Sequence, residues 1–160
     1  MELHVPFALD HPFFHELIKS PLVITADITL FSNEISHYSG RGGKRPWNEP
    51  RQSVQSLYSG WVGLEEEISE AFKKRDKSAI RASMRKGTGL FLHLLFWSNG
   101  QAVTLARFPD ISGLTVKPAN CGERIQFLVD RPELFHSFIQ LRELMDEQYK
   151  HFLVNLTKKK

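Results

Sequence analysis

The sequence of 160 residues has little of what marks a secreted, zinc-knuckle or membrane protein. Its single cysteine, Cys121, cannot form an internal disulfide and is the wrong count for a zinc knuckle. The longest apolar run covers residues 90–97 and is interrupted by His93, whereas a membrane-spanning helix needs about 20 residues. The first 21 residues lack the continuous apolar stretch of a signal peptide. We therefore expect a cytoplasmic protein that does not enter the membrane.

A strong excess of charge is also missing, because 21 basic and 18 acidic residues leave a net charge of +3. So small an excess does not by itself predict a polyanionic partner. The distribution is uneven, however: residues 1–80 hold 9 Lys or Arg against 11 Asp or Glu, and residues 81–160 hold 12 against 7. Any preference for an anion should therefore be local.

Apolar residues at helical spacing are abundant, and hydrophobic residues make up 41% of the chain. From Arg51 to residue 72, seven apolar or aromatic side chains fall on one face of a helix, and a second such pattern covers residues 134–156. Between them, a helix ending near Asn99 and Gly100 is apolar on nearly every side, which is typical of a central helix. We predict an all-α fold with one domain, residues 1–160, built as a compact bundle of five or six helices.

Three segments are less regular. Residues 22–31 are rich in β-branched types and are compatible with either a strand or a buried helix; the helical context favours a helix. Residues 39–50 hold three glycines and two prolines and are predicted to form one long, basic, Gly-rich loop. Residues 158–160 are three lysines, which we expect to form a flexible basic tail.

Three stretches are familiar when taken together: KKRDKSAI at 73–80, LFLHLLFWSNGQAV at 90–103 and PANCGERIQFLVDRPELFHSFIQLRELMDE at 118–147. In this order they resemble the YpoC-like family of small proteins from Bacillus and its relatives. The resemblance covers roughly half the chain. It implies a cytoplasmic helical protein from a bacterium of this group. The family is functionally uncharacterised, so the resemblance implies no reaction and supplies no catalytic residue.

Two histidines four residues apart, His11 and His15, share one face of the first predicted helix and could both reach a metal ion. Glu65 could supply a third ligand, because it is a carboxylate inside the apolar arc of its helix and needs a partner. The alternatives are a salt bridge from Glu65 to an arginine and a solvated or aromatic-packed first helix. A divalent metal is expected only if these three residues converge, and no other cofactor is predicted.

The Gly-rich loop contains three basic residues that are close together in the sequence, Arg41, Lys44 and Arg45. Backbone amides and side chains in such a loop could approach a phosphate. A P-loop is excluded, because its lysine must be followed by Ser or Thr and here Lys44 is followed by Arg45. The alternative is a solvated surface loop, whose exposed aromatic Trp47 could serve as an interface with a partner chain.

A second basic segment covers residues 73–86, which contain seven basic residues and one acid. Lys77, Arg81 and Arg85 advance by four along one helix and form a stripe that could follow a phosphate backbone. No named nucleic-acid motif accompanies the stripe. The alternative is a solvated basic face.

Two single residues are interpreted as structural. His93, between Leu92 and Leu94, is typical of a hydrogen-bonded core histidine. Cys121 lies at the start of a predicted helix, but no histidine partner is evident that would make it a nucleophile.

These patterns lead to two functional hypotheses. The first is a non-enzymatic binding or adaptor protein that uses its basic surface to engage an acidic protein or a nucleic acid. The second is a metal-dependent, hydrolase-like protein that uses His11, His15 and Glu65. The sequence predicts no particular oligomeric state.

Overall fold

The computed structural model describes residues 5–19, 22–25, 28–108 and 110–158. Within these ranges the chain forms six α-helices, one short hairpin and three single 3₁₀ turns, so the predicted all-α class is confirmed. In chain order the elements are α1 (His15–Lys19), β1 (Val23–Thr25), β2 (Ile28–Thr29), α2 (Ser32–Tyr38), α3 (Pro50–Lys73), α4 (Lys77–Ser98), α5 (Cys121–Asp130) and α6 (Phe135–Lys158).

The helices α3 and α4 form a long helical hairpin whose ends follow ordinary capping rules. Pro50 occupies the first position of α3, where its missing N–H has no helical partner in any case. The Asp76 carboxylate accepts a hydrogen bond of 3.1 Å from the Ala79 amide and so caps α4. As predicted, α4 ends just before Asn99 and Gly100, where Gly100 has a φ of 70°. The two helices are therefore joined by a turn of only three residues.

The central element of the bundle is α4, whose residues 87–98 are all buried. At Gly87 the helix packs tightly against its neighbours, because this residue faces Leu141 of α6 and both Ile68 and Trp61 of α3. Two stacked aromatic pairs join α3 to α6: Tyr58 contacts Tyr149 and, later in α3, Phe72 contacts Phe138 near the start of α6. Helix α6 is therefore antiparallel to α3 and parallel to α4.

The expectation of a helix over residues 22–31 is wrong. The strands β1 and β2 pair in antiparallel register, with Val23 opposite Thr29, and β1 packs against α3. The physical reason is side-chain branching: Val, Ile and Thr lose rotamer freedom in a helix and fit an extended backbone better. Local preference outweighed the helical context that favoured the helix.

The predicted loop is shorter than expected, and the predicted tail does not include Lys158. Residues 39–45 form no helix or strand, but residues 46–48 make a 3₁₀ turn and α3 begins at Pro50. Lys158 is the last residue of α6 and does not belong to a tail, while residues 159 and 160 lie outside the described residues. None of the helices described here combines the length and apolar character needed to cross a membrane.

Candidate functional site

The two histidines of the predicted metal site both have partners within the first turns of the chain. The ring of His11 accepts a hydrogen bond of 3.2 Å from the Phe13 amide and packs edge-on against Phe108 at 4.9 Å. His15 Nε2 lies 2.7 Å from a carboxylate oxygen of Asp10. Burial lowers the pKa of His11, and His15 lowers it further, while Asp10 acts in the opposite direction. His11 therefore favours its neutral form.

Glu65 is paired with an arginine. Its carboxylate accepts a hydrogen bond of 3.1 Å from Nε of Arg142 on α6, at a partly exposed position. Within the described ranges, no three His, Cys, Asp or Glu side chains lie close enough together to hold a metal ion. The structure thus does not bring Glu65 to His11 and His15, and metal binding by these residues stays a prediction.

The three basic residues of the loop are all exposed. Lys44 and Arg45 line a groove of about 640 Å³ beside the first turn of α3, which Glu49 and Ser53 also line. The Ser53 hydroxyl is already occupied, because it donates to the Pro46 carbonyl oxygen at 2.9 Å. The groove therefore offers two exposed cations together with an exposed acid.

Trp47 is 95% buried. It is therefore not the exposed interface residue that the sequence predicted. Its ring packs against Trp97 near the end of α4, at 6.4 Å between centroids, and against His37 at 5.1 Å. This contact fixes the loop at the C-terminal end of α4. Arg81 precedes Trp97 by 16 residues on the same helix, or about 24 Å at 1.5 Å per residue. The loop and the stripe are therefore two separate basic surfaces.

Within the stripe, Lys77 and Arg81 are exposed, whereas Arg85 is half-buried. The Arg85 guanidinium lies 5.6 Å from the centre of the Phe13 ring, a cation–π contact that holds it against the bundle. Its Nε is buried without a hydrogen-bond partner among the described residues. Lys77 and Arg81 thus belong to the free surface, and Arg85 belongs partly to the packing.

Two further basic residues, Lys74 and Arg75, lie in the turn between α3 and α4 and are exposed. Arg75 has a φ of 53°, in the left-handed region that glycine normally occupies after a helix. The Asp76 amide donates to the Ala71 carbonyl oxygen at 3.3 Å and the Arg75 amide to that of Phe72 at 3.1 Å, which is the Schellman pattern.

Together Lys74, Arg75, Lys77 and Arg81 form a cluster that we call the basic corner. None of the four makes an ion pair with any described residue, although nearby cations do: Lys73 pairs with Glu70 and Lys86 with Glu67, each at 3.4 Å. The sequence had placed Lys74 and Arg75 in the basic segment but not in the stripe, because their exposure depends on where the turn falls.

A mixed-charge groove of about 580 Å³ lies between α5 and α6, beside Arg124. Arg124 forms a short ion pair with Glu147, and Asp146 accepts a hydrogen bond of 2.8 Å from the Tyr58 hydroxyl. The charges of this groove are largely satisfied within the protein. Cys121, at the start of α5, is buried, and burial raises its pKa to about 12, so it is a thiol and not a nucleophile.

The core also contains a buried polar cluster. Glu34 on α2 is fully buried, and its Oε2 accepts hydrogen bonds from Trp97 Nε1 at 2.7 Å and from the Val103 amide at 3.1 Å. His93 is likewise fully buried and hydrogen-bonded to the backbone on both ring nitrogens, which confirms its interpretation as a core histidine. Glu34 was not identified from the sequence, because its partners are some 60 residues away and no local pattern marks it.

Comparison with known proteins agrees with the resemblance seen in the sequence. The sequence model of a family described as "YpoC-like protein" matches residues 51–160. The chain is 30% identical over 112 residues to "Uncharacterized protein YpoC" of Bacillus subtilis (strain 168), which covers 69% of this chain and 68% of that protein. No solved structure gives a significant match. The matched region contains the basic corner and begins after the Gly-rich loop.

Proposed function

We propose that this chain, which belongs to the YpoC-like family, is a non-enzymatic binding protein whose basic corner holds the phosphate groups of a nucleic acid. The observation that carries the proposal is the set of four exposed, unpaired cations in and beside one tight turn. Cations on a nucleic-acid-binding surface displace counterions from the phosphate backbone, which supplies most of the non-specific affinity.

Residues 73–86, which carry the corner, favour a nucleic acid over an acidic protein, although the 54% exposed ring of Phe135 packs on Phe72 just before them. Every residue from 73 to 78 is exposed, and residues 73–86 include no exposed large hydrophobic side chain. A protein interface needs an apolar centre that excludes water, whereas phosphate contacts are made by charged side chains at the surface. No aromatic ring lies in this segment either, so we expect contacts to the backbone without stacking on bases.

The position of Arg75 gives independent support. A side chain other than glycine in the left-handed region costs about 1 kcal/mol, because Cβ crowds the backbone. Strained residues of this kind are concentrated at functional positions, where the side chain is needed. We infer that Arg75 is present for its charge, at the expense of a more favourable glycine.

Two variants with matched charge test the location of the site. One neutralises three cations of the corner, and the other neutralises the three cations of the loop, so that each lowers the net charge from +3 to 0. The corner variant is Lys74→Gln, Lys77→Gln and Arg81→Gln. The loop variant is Arg41→Gln, Lys44→Gln and Arg45→Gln.

Fluorescence anisotropy with a labelled DNA duplex, a labelled single strand and a labelled poly-glutamate peptide measures binding at low salt. For the wild type we expect the duplex to bind with a slope of log affinity against log salt of about −3.6, or −0.9 for each of the four cations. The corner variant should lose about tenfold or more in affinity and about one unit of slope for each cation removed, whereas the loop variant should change less than about twofold.

Three results would reject this proposal. A wild-type protein that binds none of the three probes at low salt has no polyanion site. Equal losses in the two variants would mean that net charge and not the corner determines binding. Binding of poly-glutamate in preference to both DNA probes would identify an acidic protein as the partner.

A second prediction concerns Arg75→Gly, which relieves the strained turn and removes one cation. We expect the free energy of unfolding to rise by about 1 kcal/mol, since glycine adopts a positive φ without crowding. Affinity for the duplex should fall at the same time, with a salt slope smaller by about one unit. Urea denaturation and anisotropy measure the two effects on the same protein. A stabilised variant with unchanged affinity would show that the Arg75 side chain has no role in binding.

A further inference from the structure

The hydrogen bonds of His93 define its protonation state. Nε2 lies 2.8 Å from the Phe31 amide, which can only donate, and Nδ1 lies 2.7 Å from the Gly89 carbonyl oxygen, which can only accept. The ring is therefore neutral, with its proton on Nδ1 and its lone pair on Nε2. In this state the buried imidazole has both nitrogens satisfied.

The carboxylate of Glu34 is satisfied on one oxygen only. Trp97 and Val103 both donate to Oε2, while Oε1 is buried and has no donor among the described residues. This oxygen lies 3.8 Å from Nε2 of His93, about 1 Å beyond hydrogen-bond distance. A buried acceptor without a donor costs about 1–3 kcal/mol, so its persistence in the core calls for an explanation.

We propose that His93 is a two-position proton switch, in which protonation moves Nε2 from the Phe31 amide to the unpaired oxygen of Glu34. The neutral ring leaves Glu34 Oε1 without a donor. The protonated ring would donate to Oε1 and leave the Phe31 amide without an acceptor. Each state thus has one unsatisfied group, and the number of buried hydrogen bonds is the same in both. Two arrangements of a buried network compete when each makes the same number of hydrogen bonds.

The residue released by the switch is itself under strain. Phe31 has a φ of 66° and a fully buried ring, and it immediately precedes α2. A non-glycine residue in this region persists only where its surroundings hold it there. The hydrogen bond to His93 is one such restraint, and edge-to-face packing of the two rings at 4.6 Å is another. Protonation would remove the first, and we expect the join between the β1–β2 hairpin and α2 to loosen from α4.

Glu34 on α2 is the charged group that acts on His93. Two other titratable residues of α2 lie nearby: Tyr38 donates to the Val103 carbonyl oxygen at 2.9 Å, and His37 contacts Trp47. The pKa of Tyr38 is raised by burial and by Glu34, so it stays neutral.

The other elements packed against α4 add no charge at this position. Within α3 and α6, both described in full, no buried side chain is charged or titratable. The 3₁₀ turns contribute Phe14 and Trp47, and α1 contributes Leu17, whose Cδ1 lies close to Gly89. Helix α5 contributes the buried Cys121, which stays a neutral thiol because burial raises its pKa to about 12. The protonation of His93 is therefore governed by its burial and by Glu34.

Burial lowers the pKa of His93, while Glu34 and the Gly89 carbonyl group oppose that shift. In the unfolded chain the ring has its ordinary pKa of about 6.5, so the unfolded state binds the proton more tightly. The contribution of His93 to stability is therefore complete above pH 6.5 or so and decreases as pH falls towards the folded-state pKa. Below that pKa it decreases no further.

The test follows two nuclei in the intact protein by NMR as pH is lowered from about 7 to about 4. Nitrogen shifts of the His93 ring report protonation, and hydrogen exchange reports the protection factor of the Phe31 amide, corrected for the intrinsic dependence on pH. We expect the Phe31 protection factor to fall about tenfold or more as His93 becomes protonated, while amides in the middle of α3 keep theirs. Glu34→Gln should move the His93 titration to lower pH, because the opposing carboxylate charge is gone.

The variant Ile80→Val, 13 residues or about 20 Å before His93 on α4, controls for general loosening of the core and should leave both curves unchanged. The switch is rejected if the Phe31 amide stays protected while His93 is protonated, or if Glu34→Gln leaves the titration where it was. Global unfolding of the wild type with His93 still neutral would also reject it.

Discussion

Trp97→Ala should lower the free energy of unfolding by about 3–5 kcal/mol, a large share of the 5–15 kcal/mol that is typical of a whole domain. The indole is fully buried on α4, so its loss leaves a cavity in the centre of the bundle. It also donates to Glu34, so the substitution strips a buried carboxylate of a hydrogen bond. Urea denaturation followed by far-ultraviolet circular dichroism measures the change without relying on tryptophan emission.

Trp97→Phe separates the two contributions. It keeps much of the ring volume but removes the N–H donor, and we expect a loss of about 2 kcal/mol. Repeated in a Glu34→Gln background, the same substitution should cost about 1 kcal/mol less, because a neutral acceptor is cheaper to leave unpaired. Equal costs in the two backgrounds would show that the negative charge of Glu34 adds nothing to the hydrogen bond.

Gly87→Ala should destabilise the protein by about 1–2 kcal/mol, although alanine is the better helix former by about 1 kcal/mol. A Cβ at this position would lie 2.6 Å from Leu141 Cδ2 and 3.1 Å from Ile68 Cδ1, so these two fully buried side chains would have to change conformation in a close-packed core. Thermal or urea unfolding measures the effect.

Gly63→Ala is the matched control, because Gly63 lies inside α3 with nothing within 4 Å of a new Cβ. Here the same chemical change should stabilise by about 0.5–1 kcal/mol, through helix propensity alone. Opposite signs at the two glycines are the expected result. If both substitutions stabilise, the helices at Gly87 are less tightly packed than described. The double variant Gly87→Ala, Leu141→Ala should cost less than the sum of its parts.

The helices that could be predicted are those whose pattern is long and whose ends are marked. The amphipathic period of α3 and the stop of α4 at Asn99 and Gly100 are local signals, and both were read correctly. The hairpin at residues 22–31 could not be assigned, because ten residues are too few for periodicity to separate strand from helix. Trp47 was misjudged because a glycine-rich surrounding suggests exposure, whereas its burial comes from contact with Trp97.

For the candidate sites, too, some features follow from the sequence pattern and others depend on the tertiary structure. The spacing of Lys77, Arg81 and Arg85 predicts one helix face, but it does not predict that Phe13 packs against Arg85 and leaves only the other two exposed. The role of Arg75 depends on the backbone angle of one turn residue, which the residue types do not specify. Glu34 and His93 meet only because α2 folds back onto α4, so their proximity is a property of the tertiary structure.

The buried thiol at the start of α5 can report the rate and the equilibrium of opening in this part of the bundle. Cys121 is the sole cysteine, it is 2% exposed, and burial holds its pKa near 12. A thiol reagent can therefore react only in the moments when this part of the bundle opens. At high reagent concentration the labelling rate equals the opening rate, and at low concentration it reports the equilibrium between closed and open forms. The lifetime of the closed bundle can thus be read from one native atom, with no probe introduced.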